Sequence, residues 1–331
     1  MWKSLCLIIM FNLMCLEVYA QKRTDYAAEL VKAQAALSEQ DYTTAYLEYF
    51  RAATVSNNPL AQFSLASFYQ FGWGRPVDQA TACDWYAKSA PGNIPAAQHY
   101  YAECLRKGIK GTAEPAQAAL WYQRAAENGH VISLCSLAEL YIKGEGVNKD
   151  TQRGLALCQQ AANAGLTKAM LRMAHFYLSD EPALKNRERA HNYLVQAAQG
   201  RNAEAQFMLA TFYREDNGQS VSDKPARQWF ELAAANGYVP AYYQVGVLYF
   251  NAPHDPATKA LPADDLAKAY LWLSAAAQRS QNEDELRESK ELLEKIASLM
   301  PKTWLGPLNK KLDEHLQHFP AVADNGLVSK R

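Results

Sequence analysis

The sequence lacks an excess of charge of either sign: its 331 residues include 34 Lys and Arg and 34 Asp and Glu, for a formal net charge of zero. Removing residues 1–20 takes away one residue of each sign, Lys3 and Glu17, so the remainder is neutral as well. Proteins that bind nucleic acid usually carry a basic stripe, because neutralising phosphates supplies most of their affinity. No such stripe is present, so we expect neither nucleic acid nor an anionic membrane surface as a partner.

Long apolar runs are also missing, with one exception at the N-terminus. Leu5 to Leu16 is nearly all apolar, Lys3 precedes it, and Val18-Tyr19-Ala20 suits the positions before a cleavage site. A run of about a dozen residues is too short to cross a hydrocarbon core of about 30 Å as a helix. We therefore predict a signal peptide over residues 1–20 and export of a soluble chain that starts near Gln21. An uncleaved anchor or a buried helix is the alternative.

Signatures of catalysis are missing too. The sequence contains no Gly-rich phosphate loop, no His-Glu-x-x-His helix, no Gly-x-Ser-x-Gly elbow and no Ser-x-x-Lys motif. His315 and His318 have a spacing that metal sites can use, but no third type of ligand clusters with them, and a solvated polar face is the reading we favour. The sequence therefore predicts no enzyme, no cofactor and no metal site.

The sequence does contain an internal repeat. Such a repeat is the strongest indication of the overall fold, so it is considered before other patterns. Five consecutive blocks of 36 residues align without a gap, and a sixth needs a seven-residue insertion; the blocks begin at Pro59, Pro95, Val131, Thr167, Ala203 and Val239. The seventh position is large, and the eighth is Ala66, Ala102, Ala138, Ala174, Ala210 and Gly246. A bulky residue beside a tiny one leaves a notch on a helix face, which lets a second helix approach closely.

The second half of each block repeats a large residue followed by an Ala pair or Ser-Ala, such as Trp121 with Ala125-Ala126. Glycines separate the two halves in the first three blocks, and Gly adopts the left-handed conformation that ends a helix. Each block is therefore predicted to be a helix, a Gly-rich turn and an antiparallel helix. One such hairpin cannot bury its apolar face alone, so the hairpins must stack.

Blocks such as 131–166, with Leu137-Ala138-Glu139-Leu140-Tyr141 and Gly144-Glu145-Gly146, resemble Sel1-like repeats, which are relatives of the tetratricopeptide repeat. The resemblance implies an all-α, right-handed α-solenoid with six repeats over residues 59–281. Residues 21–58 resemble a tetratricopeptide-type capping hairpin, residues 282–318 are predicted to form C-terminal capping helices, and residues 319–331 a disordered tail. The Gly-x-Gly turn is lost in the fourth and sixth blocks, so those hairpins are expected to turn differently.

Four of the six cysteines remain after the predicted cleavage: Cys83, Cys104, Cys135 and Cys158. Cys83 and Cys104 fall at matching heights on consecutive helices, and so do Cys135 and Cys158. We predict disulfides Cys83–Cys104 and Cys135–Cys158, in keeping with an oxidising compartment. Four small buried thiols are the alternative.

In tetratricopeptide-like arrays the first helix of each hairpin lines the concave face, and this resemblance defines a candidate binding surface for a protein or peptide. Its residues are Phe63, His99, Glu103, Arg106, Glu139, Leu171, His175, Phe207, Arg214, Tyr243 and Phe250. Aromatic residues among Arg and Glu are typical of interaction hot spots. Shielding of these aromatics by neighbouring repeats is the alternative.

These features together predict a monomeric adaptor for protein–protein interaction, periplasmic or secreted, from a Gram-negative bacterium, where exported Sel1-like proteins are frequent. The resemblance also implies a role in the envelope or in host interaction. Two alternatives remain: a structural scaffold of an envelope or polysaccharide-export assembly, and a β-lactamase-like or penicillin-binding enzyme. The missing Ser-x-x-Lys motif argues against the enzyme.

Overall fold

A computed structural model describes residues 25–216 and 224–320, and these residues form helices and connecting turns without a β-strand. The predicted signal peptide lies outside the described residues. The chain divides after Leu157 into two compact units. Within each unit, helices that are consecutive in sequence pack against each other. The predicted all-α array of repeated hairpins is therefore confirmed.

The first unit begins with a short helical segment at residues 25–29 and continues with helices in adjacent pairs. They are α1 (Val31–Ser38), α2 (Tyr42–Val55), α3 (Pro59–Phe71), α4 (Gln79–Ser89), α5 (Pro95–Lys107), α6 (Pro115–Glu127), α7 (Ser133–Lys143) and α8 (Thr151–Asn163), in which the division falls. A 3₁₀ turn at Ala90–Gly92 follows α4.

Residues at the helix ends explain these boundaries. The Asn58 side chain accepts hydrogen bonds from the backbone N–H groups of Leu60 and Ala61, and Pro59 occupies the first turn, where a missing N–H costs nothing. At the other end of α3, Gly72 has φ 71°, a left-handed conformation that stops the helix. Gly144 ends α7 in the same way, with φ 73°.

The second unit continues the same arrangement. Its helices are α9 (Thr167–Leu178), α10 (Arg187–Gln199), α11 (Ala203–Asp216), α12 (Lys224–Ala235), α13 (Val239–Phe250), α14 (Ala263–Arg279), α15 (Glu283–Leu299) and α16 (Leu305–His318). The two turns without the Gly motif have different geometry. The C-cap residue after α9 is Ser179, whose backbone is extended, and the C-cap residue after α13 is Asn251, with φ −91°. In the insertion after α13, the Asp255 side chain accepts N–H bonds from Ala257 and Thr258.

The small residue at the eighth position of each block sets the distance between paired helices. The five alanines at this position are all 0% exposed. Gly246 takes their place in the sixth repeat, and a Cβ atom there would lie 2.7 Å from Cγ of Leu273 on α14. Close approach of the two helices therefore requires the notch that the sequence predicted.

The C-terminal tail begins later than predicted. Phe319 was placed in a disordered tail, but its ring packs against His315 at a centroid distance of 5.1 Å. It also covers Gly237, where a Cβ atom would lie 2.4 Å from the ring. An aromatic side chain after the last helix gains apolar contact by folding back, which the pattern of helical residues does not reveal. Residues 321–331 lie outside the described residues.

Candidate protein-binding surface

In the first unit, the candidate residues Phe63 on α3 and His99 on α5 lie in one continuous row of rings. Phe63 is half-buried and packs against Tyr86 and Tyr100, with centroid distances of 5.8 and 6.4 Å. The ring of His99 follows, 5.4 Å from Tyr100 and 5.4 Å from Tyr122. Phe63 and His99 are thus held by their neighbours and are only partly accessible.

His99 also belongs to a polar cluster that the sequence analysis missed. Its Nδ1 lies 2.9 Å from the hydroxyl of Ser133, and Nδ1 of His130 lies 2.8 Å from the same hydroxyl. The two imidazole rings are 4.5 Å apart, and burial lowers the pKa of His130. One signal was available in the sequence: the third position of the block is Ala in the other five repeats and Ser only here.

Glu103 and Arg106 form an ion pair with each other, so neither charge is left without a partner inside the protein. Nη2 of Arg106 donates to Oε2 of Glu103 at 3.0 Å, and the buried hydroxyl of Tyr122 donates to Oε1 of Glu103. Burial by itself raises the pKa of Glu103, but the bonds from Tyr122 and Arg106 and the charges of Arg106 and Lys107 outweigh it, so this pKa lies below its usual value. These residues form an internal cluster at the surface of α5.

Glu139 on α7 has a nearby partner on its own helix as well. Nζ of Lys143 lies 2.6 Å from Oε1 of Glu139, one turn along the helix. The side chains of Glu139 and Lys143 are 24% and 49% exposed, and a pair of this kind contributes about 0.3–0.5 kcal/mol. Glu139 therefore remains accessible to a partner at little energetic cost.

In the second unit, aromatic rings at the fifth position of the block are half-buried, as Phe63 is in the first unit. Phe207 on α11 packs against Phe230 and Tyr238, each at a centroid distance of 5.3 Å. Tyr243 on α13 occupies the equivalent place, and its hydroxyl donates to Oε2 of Glu288 on α15. Burial, followed by the bond and charge of Glu288, raises the pKa of Tyr243 to about 12. Both rings are fixed by neighbours while part of each faces solvent.

Charged and polar side chains flank these two rings. Nη1 of Arg214 donates to Oε1 of Gln244 at 2.8 Å, and the Arg214 side chain is exposed. Nε2 of His175 lies 3.9 Å from Oε1 of Glu204, with the two side chains 51% and 48% exposed. We call the set His175, Glu204, Phe207, Arg214 and Tyr243 the first-helix surface of the second unit.

Two candidates of this unit belong to the core to a greater extent than predicted. Leu171 is only 6% exposed and packs with Leu194 and Leu209, so its assignment to a binding surface is wrong. A leucine at this position is shorter than phenylalanine or tyrosine and ends within the core, whereas the rings of Phe207 and Tyr243 extend to the surface. Phe250 is half-buried against the core around α13 and α14.

The cysteines are oxidised. Cys83 on α4 and Cys104 on α5 form a disulfide with a Cα–Cα distance of 5.8 Å, so the predicted bond joins the first repeat to the second. Cys135 and Cys158 are disulfide-bonded as well. All four cysteines of the described residues are therefore in disulfides, which is typical of proteins in oxidising compartments.

A cation lies over the tyrosine at the eleventh position of four repeats, a feature that sequence reasoning did not identify. Distances to the ring centroid are 4.7 Å for Arg75 over Tyr69, 4.3 Å for Arg153 over Tyr141, 5.6 Å for Arg189 over Tyr177 and 5.0 Å for Lys268 over Tyr249. Such contacts contribute about 0.5–1 kcal/mol at exposed sites. They tie the second helix, or in the first repeat the turn, to the first helix.

The predicted surface of His315 and His318 is only partly solvated. Nε2 of His315 lies 3.0 Å from the hydroxyl of Tyr242, and its ring packs 5.3 Å from Trp272. Across residues 25–216 and 224–320, no three His, Cys, Asp or Glu side chains form a group that could hold a metal ion. In the same part of the chain, no helix has the length and apolar character needed to span a membrane.

Comparison with known proteins identifies the repeat. The Sel1 repeat family matches residues 59–90, 95–130, 131–166, 167–202, 203–238 and 239–280, more than half of the chain. These segments begin at the same six residues as the blocks read from the sequence. No curated protein is similar enough in sequence to count as a relative.

Solved structures show the same fold. A Sel1 repeat protein from Oxalobacter formigenes is 26% identical, with a TM-score of 0.58, and the match covers 75% of this chain and 99% of that one. A protective antigen of uropathogenic Escherichia coli with an SLR fold is 24% identical, with a TM-score of 0.54 over 83% of this chain and 56% of that one. This chain thus spans little more than half the length of the antigen.

Sel1 repeats generally mediate protein–protein interactions, and proteins built from them are generally scaffolds without catalytic activity. The hairpins, the notch residues and the six matched segments agree with one another along the chain. This chain belongs to the Sel1 repeat family.

Proposed function

We propose that this protein is an exported adaptor that binds a protein or peptide on the first-helix surface of its second unit. The observation that carries the proposal is the pair of half-buried rings, Phe207 and Tyr243, at one repeat position beside the exposed Arg214. Aromatic residues and arginine supply most of the binding energy in protein interfaces. The neighbours of these three side chains leave part of each one accessible.

The side chains of this surface, like Phe63 and His99 of the first unit, are held in place by their neighbours before a partner binds. Contacts with Phe230 and Tyr238 hold Phe207, and the bond to Gln244 holds Arg214, so a partner orders few side chains on binding. Arg214 can donate to acceptors of a partner as well as to Gln244, because a guanidinium carries five N–H donors. Glu103 and Arg106 of the first unit are instead engaged with each other and with Tyr122.

The cellular location of the proposed adaptor rests on the cysteines and the N-terminus. Disulfides persist in the bacterial periplasm and outside the cell, whereas cytosolic thiols are kept reduced. The predicted signal peptide over residues 1–20 is consistent with export by this route. We therefore propose a periplasmic or secreted protein whose partner is encountered after export.

The test is a crosslinking pull-down from periplasmic extract, with partners identified by mass spectrometry and their affinities measured by calorimetry. Two variants address the surface: Phe207→Ala with Tyr243→Ala removes the rings, and His175→Glu with Arg214→Glu changes only exposed charges. Leu232→Ala on α12 is the matched control, because Leu232 is 45% exposed on a second helix. Circular dichroism establishes that all variants are folded.

A partner captured by the wild type and the control, with at least about tenfold weaker affinity for both surface variants, is the expected result. Equal affinity of one partner for the wild type and both variants would place binding elsewhere and refute the proposed surface. Failure of the wild type to capture any partner, in extract from cells that express it naturally, would count against the adaptor itself.

A further inference from the structure

The outer face of the N-terminal hairpin, on the side away from α3, is less polar than an end cap is expected to be. The caps of repeat arrays normally present a polar outer face, because no further hairpin covers them. Here Val31 on α1 is 62% exposed, and Leu47 and Val55 on α2 are 61% and 75% exposed. Phe50 on α2 is 42% exposed as well, so four large apolar side chains are exposed on this hairpin.

These side chains form a stripe rather than scattered exposures. Leu47, Arg51 and Val55 are spaced by four residues, so they lie along one face of α2. The buried residues Ala45 and Tyr49 occupy a different face, which packs into the core of the first unit. A shallow groove of about 370 Å³ runs between the two helices beside this stripe, lined by Ala28, Glu29, Val31, Lys32, Glu48, Arg51 and Ala52.

The charges in the groove indicate what covers it. Two acidic and two basic residues line the groove: Glu29, Glu48, Lys32 and Arg51. Within the described ranges 25–216 and 224–320, Lys32, Glu48 and Arg51 form no ion pair. A partner that is uniformly acidic or uniformly basic would place like charges opposite some of these groove residues. A second copy, related by a two-fold axis, presents the same mixed set in reverse order, so that Glu48 of each copy can face Arg51 of the other.

We propose that the outer face of the N-terminal hairpin, defined by Val31, Lys32, Leu47, Glu48, Arg51 and Val55, binds a second copy of this chain in a two-fold dimer. This proposal differs from the monomer that we expected from the sequence. The interface is small: α2 is about 20 Å long at 1.5 Å per residue, and two helices side by side are about 20 Å wide. That footprint of about 400 Å² is half of the ~800 Å² per partner in a standard complex, so the dimer is weak and reversible.

Sedimentation equilibrium of the exported, oxidised protein tests this dimer. The wild type is expected to self-associate with a Kd in the micromolar range or weaker, as befits a small interface. Leu47→Glu should abolish association, because it places a charge within the apolar stripe. Leu120→Glu is the matched control: Leu120 is 60% exposed, nearly the same as Leu47, but lies on α6.

Charge reversal distinguishes a second copy from any other partner. Glu48→Arg and Arg51→Glu should each weaken the dimer at least about tenfold, since each places like charges opposite one another. The double variant restores opposite charges across a two-fold axis and should associate within about threefold of the wild type. Thermal melts followed by circular dichroism confirm that each variant is folded.

Three outcomes would overturn the proposal. A wild type that stays monomeric up to about 1 mM would overturn the proposal, because a dimer with a Kd in or near the micromolar range is populated at that concentration. Equal loss of association in Leu47→Glu and Leu120→Glu would indicate non-specific apolar association. A double charge variant no better than the single ones would show that Glu48 and Arg51 do not face each other across a symmetric contact.

Discussion

Removing the hydroxyl of Tyr122 tests whether the cluster of Glu103, Arg106 and Tyr122 stabilises the first unit. Tyr122→Phe keeps the ring that packs against His99 and deletes only the donor to Oε1 of Glu103. A hydrogen bond to a charged group contributes about 1.5–3 kcal/mol. The Glu103 side chain is 19% exposed, so water replaces part of the lost bond, and we expect a loss of about 1.5 kcal/mol in the free energy of unfolding.

The pH dependence follows from the lowered pKa of Glu103. A carboxyl group with a depressed pKa in the folded state stabilises the protein above its unfolded pKa of about 4.3. That contribution is lost as the pH falls through the lower folded-state value. The loss caused by Tyr122→Phe should therefore be full at pH 7 and shrink as the pH falls below the unfolded-state pKa of about 4.3 and then through the lower folded-state pKa of Glu103.

Urea unfolding followed by circular dichroism, at pH 7 and at pH 3, measures both effects. A double-mutant cycle with Glu103→Gln isolates the coupling between the two residues, provided that the slopes with urea are unchanged. The same loss at both pH values would refute the role of the ionised carboxylate. A loss below about 0.5 kcal/mol at pH 7 would show that the hydroxyl bond is not stabilising.

Three further substitutions test the packing of the hairpins by urea unfolding. Ser289→Ala should stabilise by about 1 kcal/mol, because the Ser289 hydroxyl is buried without a hydrogen-bond partner in the described part of the chain, and a loss of stability would refute this. Gly246→Ala should destabilise the protein by about 1–3 kcal/mol, because the added Cβ clashes with Leu273. Helix propensity alone predicts a gain of up to about 1 kcal/mol, so a measured gain in stability would contradict the clash. Replacing Cys83 and Cys104 by Ser should cost about 3 kcal/mol for a disulfide of sequence separation 21, and a reductant that leaves the wild type's stability unchanged would contradict it.

The repeat in the sequence was sufficient to predict the hairpins that carry the candidate surface. Recurrence every 36 residues located the hairpins, and the same register placed Cys83 opposite Cys104, because the two residues lie at the same height on consecutive helices. It did not distinguish Leu171 from Phe207, which share a repeat position but differ in exposure. A position in a repeat specifies a direction on a helix, whereas exposure depends on the size of the side chain and its neighbours.

The sequence by itself determined the helical class, the period of the array and the turns that end helices at Gly72 and Gly144, because these follow from local backbone preferences and short-range periodicity. The tertiary structure alone decided that Glu103 bonds Tyr122 and that Ser133 lies between two histidines. It also decided that the outer face of the first hairpin remains apolar. The Tyr122–Glu103 and His99–Ser133 contacts join residues 19 and 34 positions apart, and packing of whole helices, rather than local preference, brings them together.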